Sequence, residues 1–307
     1  MTNPRDELLT QDILRLKKKK SVYIIAHYYQ REEIQALADF VGDSYAMAIA
    51  AKKSPHDIIL VAGVDFMAET AAILCPDKIV LTPEPEATCP MANAITVDDV
   101  LSYKKKHPES IVVCYVNTPA EIKAVSDICC TSSNAVRILQ KLPENAKICF
   151  IPDQYLGSYL AKELDRPIDL FSANCPTHAN IEKERLLQLK EQFPNAQVLV
   201  HPECHPEIVA LADYVGSTKG ILDYATRSEG KSFIIGTECG ILYSLQNNNP
   251  DKTFILASEE LICPNMKSIT LDKVWYSLNR LQTRVVVPEE VRAKAALALE
   301  RMIEYAS

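Results

Sequence analysis

Three Cys-Pro pairs recur at even intervals: Cys89-Pro90, Cys175-Pro176 and Cys263-Pro264, with the cysteines 86 and 88 residues apart. Cysteine thiolates are the usual ligands of iron–sulfur clusters and common ligands of zinc. Ligands of a local metal knuckle lie only a few residues apart, so these three make sense only if three similar units each bring one cysteine to a common point. The chain has ten cysteines and no C-x-x-C, which argues against a ferredoxin-type motif and a zinc ribbon. Most of the remaining thiols, Cys114, Cys149, Cys129 and Cys130 among them, are expected to be small buried hydrophobes.

The elements that would position the cysteines repeat as well. Residues 5–20 predict a helix ending in Lys17 to Lys20, a run that suits the last helical turn better than a nucleic-acid patch. Val22 to Ala26 predicts a buried strand, with a helix through Ile34 and Leu37, a short strand at Phe40-Val41, and further strands at Ile58 to Ala62 and Lys78 to Leu81. Seven, twelve and seventeen residues after His27 come Ile34, Asp39 and Ser44. The same steps from Tyr115 reach Ile122, Asp127 and Ser132, and from His201 they reach Ile208, Asp213 and Thr218. No gap is needed, and Ala36 to Gly42 is nearly repeated as Ala210 to Gly216. This is an internal triplication.

Strands alternating with helices imply parallel sheets joined by right-handed crossovers. The expected fold is α/β: three homologous parallel-sheet αβα domains around a pseudo-three-fold axis. The expected units are residues 1–94, 95–179 and 180–267, with 268–307 returning to pack on the N-terminal helix and the first unit.

In parallel sheets, ligands bind at the carboxyl ends of the strands. The first strand ends would deliver His27 with Tyr29, Tyr115 with Asn117, and His201 with Glu203. The second would deliver Ser44, Ser132 and Ser217-Thr218; the third end near Asp65, Asp153 and Glu238; the fourth deliver the three cysteines. Such polar groups suit the walls of a cavity for a small polar substrate. Ser44, Ser132 and Thr218 also suit helix N-caps, and free N–H groups there bind carboxylate or phosphate. His56 and His107 are expected in surface loops. His178, three residues after Cys175, is a candidate substrate contact or a partner to a metal ligand.

Three thiolates on a pseudo-three-fold axis suit a [4Fe–4S] cluster with one iron left for substrate, acting as a Lewis acid. Zinc held by three cysteines and a fourth ligand such as His178 is the alternative on spacing alone. The 48% apolar and 24% charged composition is that of a globular protein, and the net charge of −7 argues against nucleic acid. The longest apolar run, Ile58 to Val64, is too short to span a bilayer, and the polar N-terminus has no signal core, so a cytoplasmic location is expected.

Together these motifs resemble the quinolinate synthase family. The resemblance is carried by His27-Tyr28-Tyr29-Gln30, Gly42-Asp43-Ser44, Gly63 to Glu69, Thr88-Cys89-Pro90-Met91-Ala92-Asn93, Tyr115-Val116-Asn117, Cys130 to Ala135, His201-Pro202-Glu203-Cys204, Val215 to Thr218 and Cys263 to Lys267. It runs from about residue 20 to the C-terminus. It implies three α/β domains around a central site and a [4Fe–4S] cluster on Cys89, Cys175 and Cys263. It implies condensation of iminoaspartate with dihydroxyacetone phosphate, losing phosphate and water, to give quinolinate for NAD biosynthesis. It also implies an aspartate oxidase or aspartate dehydrogenase as the source of iminoaspartate, while the charge and the short apolar runs argue against a nucleic-acid or membrane partner.

By the same resemblance Glu203 is the first choice for the isomerising base, with Tyr29, His201 and Tyr115 moving protons or positioning hydroxyls. His27, Ser44, Tyr115, Asn117, Ser132, His178, His201, Glu203, Ser217 and Thr218 would hold substrate. Longer relatives carry extra cysteines near the last ligand, whereas this chain has only Cys263 there. Diphthamide-synthase-like radical enzymes share the three-cysteine architecture and are one alternative. A non-enzymatic iron–sulfur sensor is the other.

Overall fold

The computed structural model describes residues 4–306. The first unit runs α1 (Pro4–Lys20), β1 (Val22–His27), α2 (Glu32–Leu37), β2 (Phe40–Gly42), α3 (Ser44–Lys53), β3 (Ile58–Ala62), α4 (Asp65–Leu74) and β4 (Ile79–Leu81). The second runs α5 (Val97–Lys106), β5 (Ile111–Tyr115), α6 (Ala120–Ala124), β6 (Ile128–Cys130), α7 (Ala135–Lys141), β7 (Ile148–Ile151), α8 (Gln154–Glu163), β8 (Ile168–Leu170) and α9 (Pro176–Ala179). The third runs α10 (Lys183–Gln192), β9 (Gln197–Val200), α11 (Pro206–Val209), β10 (Tyr214–Val215), α12 (Thr218–Arg227), β11 (Ser232–Gly236), α13 (Ile241–Asn248), β12 (Thr253–Leu256) and α14 (Pro264–Lys267). The chain closes with α15 (Leu271–Arg280) and α16 (Glu289–Ala306). Among the described residues no helix is long and apolar enough to cross a membrane.

The strands form three parallel four-stranded sheets with one shared order: β2-β1-β3-β4, β6-β5-β7-β8 and β10-β9-β11-β12. The fold is therefore α/β, three sheets with alternating helices. The first and third strands of each unit are the central pair. They read as nearly unbroken apolar runs, such as IILVA, ICFI and SFIIG, because helices cover both faces. In this strand order the chain reverses direction across the sheet between the first and third strands, and the crevice at their carboxyl ends is the natural ligand site.

The triplication is visible bond by bond. The second-strand aspartates Asp39, Asp127 and Asp213 each accept a hydrogen bond from a backbone N–H of the first strand, at Ile24, Val112 and Val198, over 2.7–2.8 Å. A lysine of the preceding helix donates to the carbonyl two residues before each aspartate: Lys17 to Leu37, Lys104 to Val125 and Lys190 to Leu211. Lys17 and Lys104 also pair with their aspartates at 2.7 and 2.8 Å.

The C-terminal segment departs from expectation. α15 lies on α1. Residues 283–285 then bond along the edge of β4, with Val285 N–H donating to the Val80 carbonyl at 2.9 Å. α16 crosses to the second unit, packing chiefly on α6 and β6, with smaller and equal contacts to α7 and to α4 of the first unit. Its small residues allow this: Ala295 and Ala298, with Leu299 and Met302, are buried in the second unit's core.

Candidate active site and metal centre

The Cys-Pro pairs build one local device three times. Cys175 and Cys263 are the N-caps of α9 and α14, each followed by proline at the first helical position, where its missing N–H costs nothing. Cys89 precedes the short 3-10 turn Ala92–Ala94. Backbone N–H groups two or three residues on donate to each sulfur: Met91 and Ala92 to Cys89, His178 to Cys175, Asn265 and Met266 to Cys263. Such donors favour thiolate. Burial opposes them, pushing Cys89 up to about 12, Cys175 well above the usual thiol range, and Cys263 upward. A charge on Cys263 also raises Cys89, and one on Cys89 raises Cys175, so Cys89 sits within electrostatic reach of both other sulfurs.

The loops are held at their bases. Asp65, Gln154 and Cys239 donate backbone N–H bonds to Ala87, Ala173 and Leu261, each two residues before its cysteine. This register makes Val64, not Asp65, the equivalent of Asp153 and Glu238. Asp153 accepts the backbone N–H of Cys175, and Glu238 that of Cys263 at 3.0 Å; Val64 offers Cys89 no such acceptor. Glu238 is fully buried and pairs with Lys267 at 2.9 Å, while Lys267 Nζ also donates to the Tyr29 carbonyl at 2.5 Å. The first unit's Tyr29 loop and the third unit's cysteine loop are thereby clasped together.

One cavity gathers the predicted residues: His27, Tyr29, Ser44, Cys89, Tyr115, Asn117, Ser132, Cys175, His178, His201, Glu203, Thr218 and Cys263 all line it. Ser217 does not. Its hydroxyl accepts from Gly220 N–H as the N-cap of α12. Likewise Asp43, not Ser44, caps α3, and Asn134 stands at the N-cap position of α7. Ser44 and Thr218 are the first helical residues, one position past the cap, and line the cavity, where Thr218 Oγ1 donates to Tyr29. Asp43, Thr88 and Glu238 line the cavity without having been singled out as site residues. Thr237 and Lys267 were also missed: their roles depend on partners far away in sequence.

Tyr29 Oη lies 2.6 Å from Thr237 Oγ1, accepts from Thr218 Oγ1 at 2.8 Å, and is 3.5 Å from His178 Nε2. His178 stacks on His201, with ring centres 4.7 Å apart. His178 Nδ1 faces Glu203 Oε2 at 2.9 Å and Cys175 Sγ at 3.2 Å. His201 Nε2 lies 3.2 Å from Ser132 Oγ, across a unit boundary. Tyr115 donates its hydroxyl proton to Glu203. Of the described residues that line the cavity, Glu203 and Asn117 each bury an oxygen without a partner, Oε1 and Oδ1.

Protonation follows from this packing. Burial holds His27 and His201 down at about 3, so both rings are neutral near pH 7. Burial alone would raise Glu203; the charge His201 carries when protonated and hydrogen bonds from His178 and Tyr115 outweigh it and hold the carboxyl below its ordinary value. Burial, with the Glu203 charge, keeps Tyr29 and Tyr115 protonated. A carboxylate base, two phenol donors and neutral imidazoles therefore surround one space, as proton-transfer chemistry requires. One group of potential metal donors lies close together in it among the described residues, Cys175, His178 and Glu203.

The family model described as quinolinate synthetase A protein matches residues 11–304. A quinolinate synthase of Dehalococcoides mccartyi strain BAV1 is 50% identical, covering 97% of this chain and 98% of that one. A quinolinate synthase of Methanosarcina barkeri is 48% identical over 96% and 97% of the two chains. One of Caldicellulosiruptor bescii is 49% identical over 97% and 98%. The chain is a member of the quinolinate synthase family of enzymes.

Proposed function

We propose that the protein condenses iminoaspartate with dihydroxyacetone phosphate to quinolinate, releasing phosphate and water, as a step of de novo NAD biosynthesis in the cytoplasm. A [4Fe–4S] cluster on Cys89, Cys175 and Cys263, near a pseudo-three-fold axis, would be its cofactor. The donor set fits: three part-buried free thiols, each with backbone N–H donors, facing one cavity. When bound, such a cluster supplies a Lewis-acid iron for the departing hydroxyl. The observation that carries the reading is the convergence of these sulfurs with Glu203, Tyr29, Tyr115 and the histidines in one cavity.

In this reading Glu203 removes the proton for isomerising the triose phosphate, and Tyr115 holds the carboxylate in place. Its unpartnered Oε1 is free to reach a substrate proton. Tyr29, fixed by Thr218 and Thr237, donates a proton to a departing oxygen. Asn117, Ser44, Ser132 and Thr218 hold carboxylate and phosphate oxygens, and neutral His27 and His201 orient hydroxyls. Iminoaspartate, a reactive imine, would come from an aspartate oxidase or aspartate dehydrogenase.

The iron-loaded protein is incubated anaerobically with dihydroxyacetone phosphate and iminoaspartate generated in place, and the products are read by mass spectrometry. Quinolinate is the expected product. Its absence from protein holding about four irons per chain would overturn the reaction and favour a radical enzyme or a sensor.

A further inference from the structure

Cys175, His178 and Glu203 bring a thiol sulfur, an imidazole nitrogen and a carboxylate oxygen within 4.8 Å of one another. His178 and Glu203 are buried. A single nitrogen, His178 Nδ1, faces both other donors, at 3.2 Å from Cys175 Sγ and 2.9 Å from Glu203 Oε2. Ligands of a tetrahedral zinc ion stand roughly 3.3–3.7 Å apart, given bonds of about 2.0–2.3 Å. The two sides that meet at His178 Nδ1 therefore come within a few tenths of an ångström of that spacing, and the sulfur–carboxylate side lies within 4.8 Å. The other ring nitrogen, Nε2, is anchored 2.9 Å from Thr237 Oγ1, the kind of outer contact that fixes a ligating histidine. Glu203 Oε1 is buried without a partner.

We propose that the metal-free chain binds one zinc ion through Cys175 Sγ, His178 Nδ1 and Glu203 Oε2, with the fourth position open to water. The charges balance: a dication, a thiolate and a carboxylate sum to zero, which a buried site tolerates. On binding, the Cys175 thiol loses one proton to solvent. The His178 proton moves from Nδ1 to Nε2, where Thr237 Oγ1 accepts it. No electron is transferred. A thiolate, an imidazole and a carboxylate form a mixed set that suits zinc rather than a hard cation.

The site uses one sulfur of the cysteine triad and two groups of the substrate cavity. Zinc here would exclude both the cluster and the substrate, making it a competitor in loading the enzyme. That consequence rests on the function proposed above; the site itself does not.

The test uses the full-length chain purified anaerobically without metal, with circular dichroism checking the fold of each variant. Co2+ is titrated first and then displaced with Zn2+. The expected result is a thiolate-to-cobalt charge-transfer band with tetrahedral ligand-field bands, saturating at one ion per chain. These bands persist in the Cys89→Ala/Cys263→Ala double variant. Affinity falls more than about 100-fold in His178→Ala and about 10- to 100-fold in Thr237→Val. His178→Gln replaces the alanine variant if that one does not fold. Bands lost in the Cys89→Ala/Cys263→Ala protein and kept without His178 would assign the ion to the three thiols and overturn the proposal, as would no Co2+ binding at all. Neither outcome alters the quinolinate assay, so the two readings fail separately.

Discussion

Lys267 Nζ and Glu238 Oε1 form an ion pair at 2.9 Å, with the carboxylate fully buried and the lysine nearly so. The pair joins the last Cys-Pro loop to the backbone of Tyr29. Removing one partner leaves the other charged and buried, which costs far more than the pair itself contributes. Lys267→Met should destabilise the protein by about 3–5 kcal/mol. The Glu238→Gln/Lys267→Met double variant should recover most of that loss. Denaturant unfolding of the three proteins decides: equal losses in the single and double variants would show that the carboxylate is not stranded.

Glu203 is a carboxylate at neutral pH, with one oxygen unpartnered in the cavity. If it is the base, Glu203→Gln keeps the shape and removes the proton acceptor. Turnover should drop about 10²- to 10⁴-fold while the iron content stays unchanged. Normal turnover in that variant would remove Glu203 from the mechanism.

The repeated aspartates give a prediction about the fold. Asp39, Asp127 and Asp213 each fasten the second strand to the first by the same backbone bond. Replacing any one with alanine strands a strand N–H, at a cost of about 1–3 kcal/mol. Asp127→Ala should cost at least as much as Asp213→Ala, because only the former also unpairs a lysine, Lys104. Unfolding midpoints of the two variants test the order; a harmless Asp127→Ala would deny the bond its role.

His27 is buried and neutral, held at about 3. The unfolded chain takes up a proton at this residue near pH 6.5, and the folded chain does not until the pH is far lower. Because the unfolded state binds more protons, stability falls as the pH drops through this window, by about 1.4 kcal/mol per pH unit for one such group. In His27→Asn the dependence of unfolding free energy on pH between 6 and 4 should be shallower by that slope. An unchanged slope would mean that the folded chain protonates His27 normally.

The repeat could be read from the sequence because its first half keeps register without a gap: His27, Tyr115 and His201 lead to Ser44, Ser132 and Thr218 by the same count. The structure repeats those positions as hydrogen bonds. The second halves differ in length and agree only loosely: the third strand ends near Asp65, and the backbone bonds select its neighbour Val64 as the equivalent of Asp153 and Glu238. Capping was misplaced for a similar reason. Asp43 and Ser44, or Ser217 and Thr218, are adjacent residues that both suit a helix start, and only backbone geometry decides which one turns inward. The Glu238–Lys267 clasp and the Thr237 contacts to Tyr29 and His178 join residues from 29 to 208 positions apart. No local pattern encodes such pairs. The path of α16 was hidden because an alanine-rich face fits against either unit.

Iron and sulfide per chain, measured after anaerobic reconstitution, test the central claim most directly. The wild type should hold about four of each, and Cys89→Ala, Cys175→Ala and Cys263→Ala should each lose most of both. Cys239→Ala, whose thiol is part-buried but does not line the cavity, should keep the full complement. Full iron in any one of the three loop variants, with the wild-type spectrum, would contradict a single centre held by one cysteine from each unit.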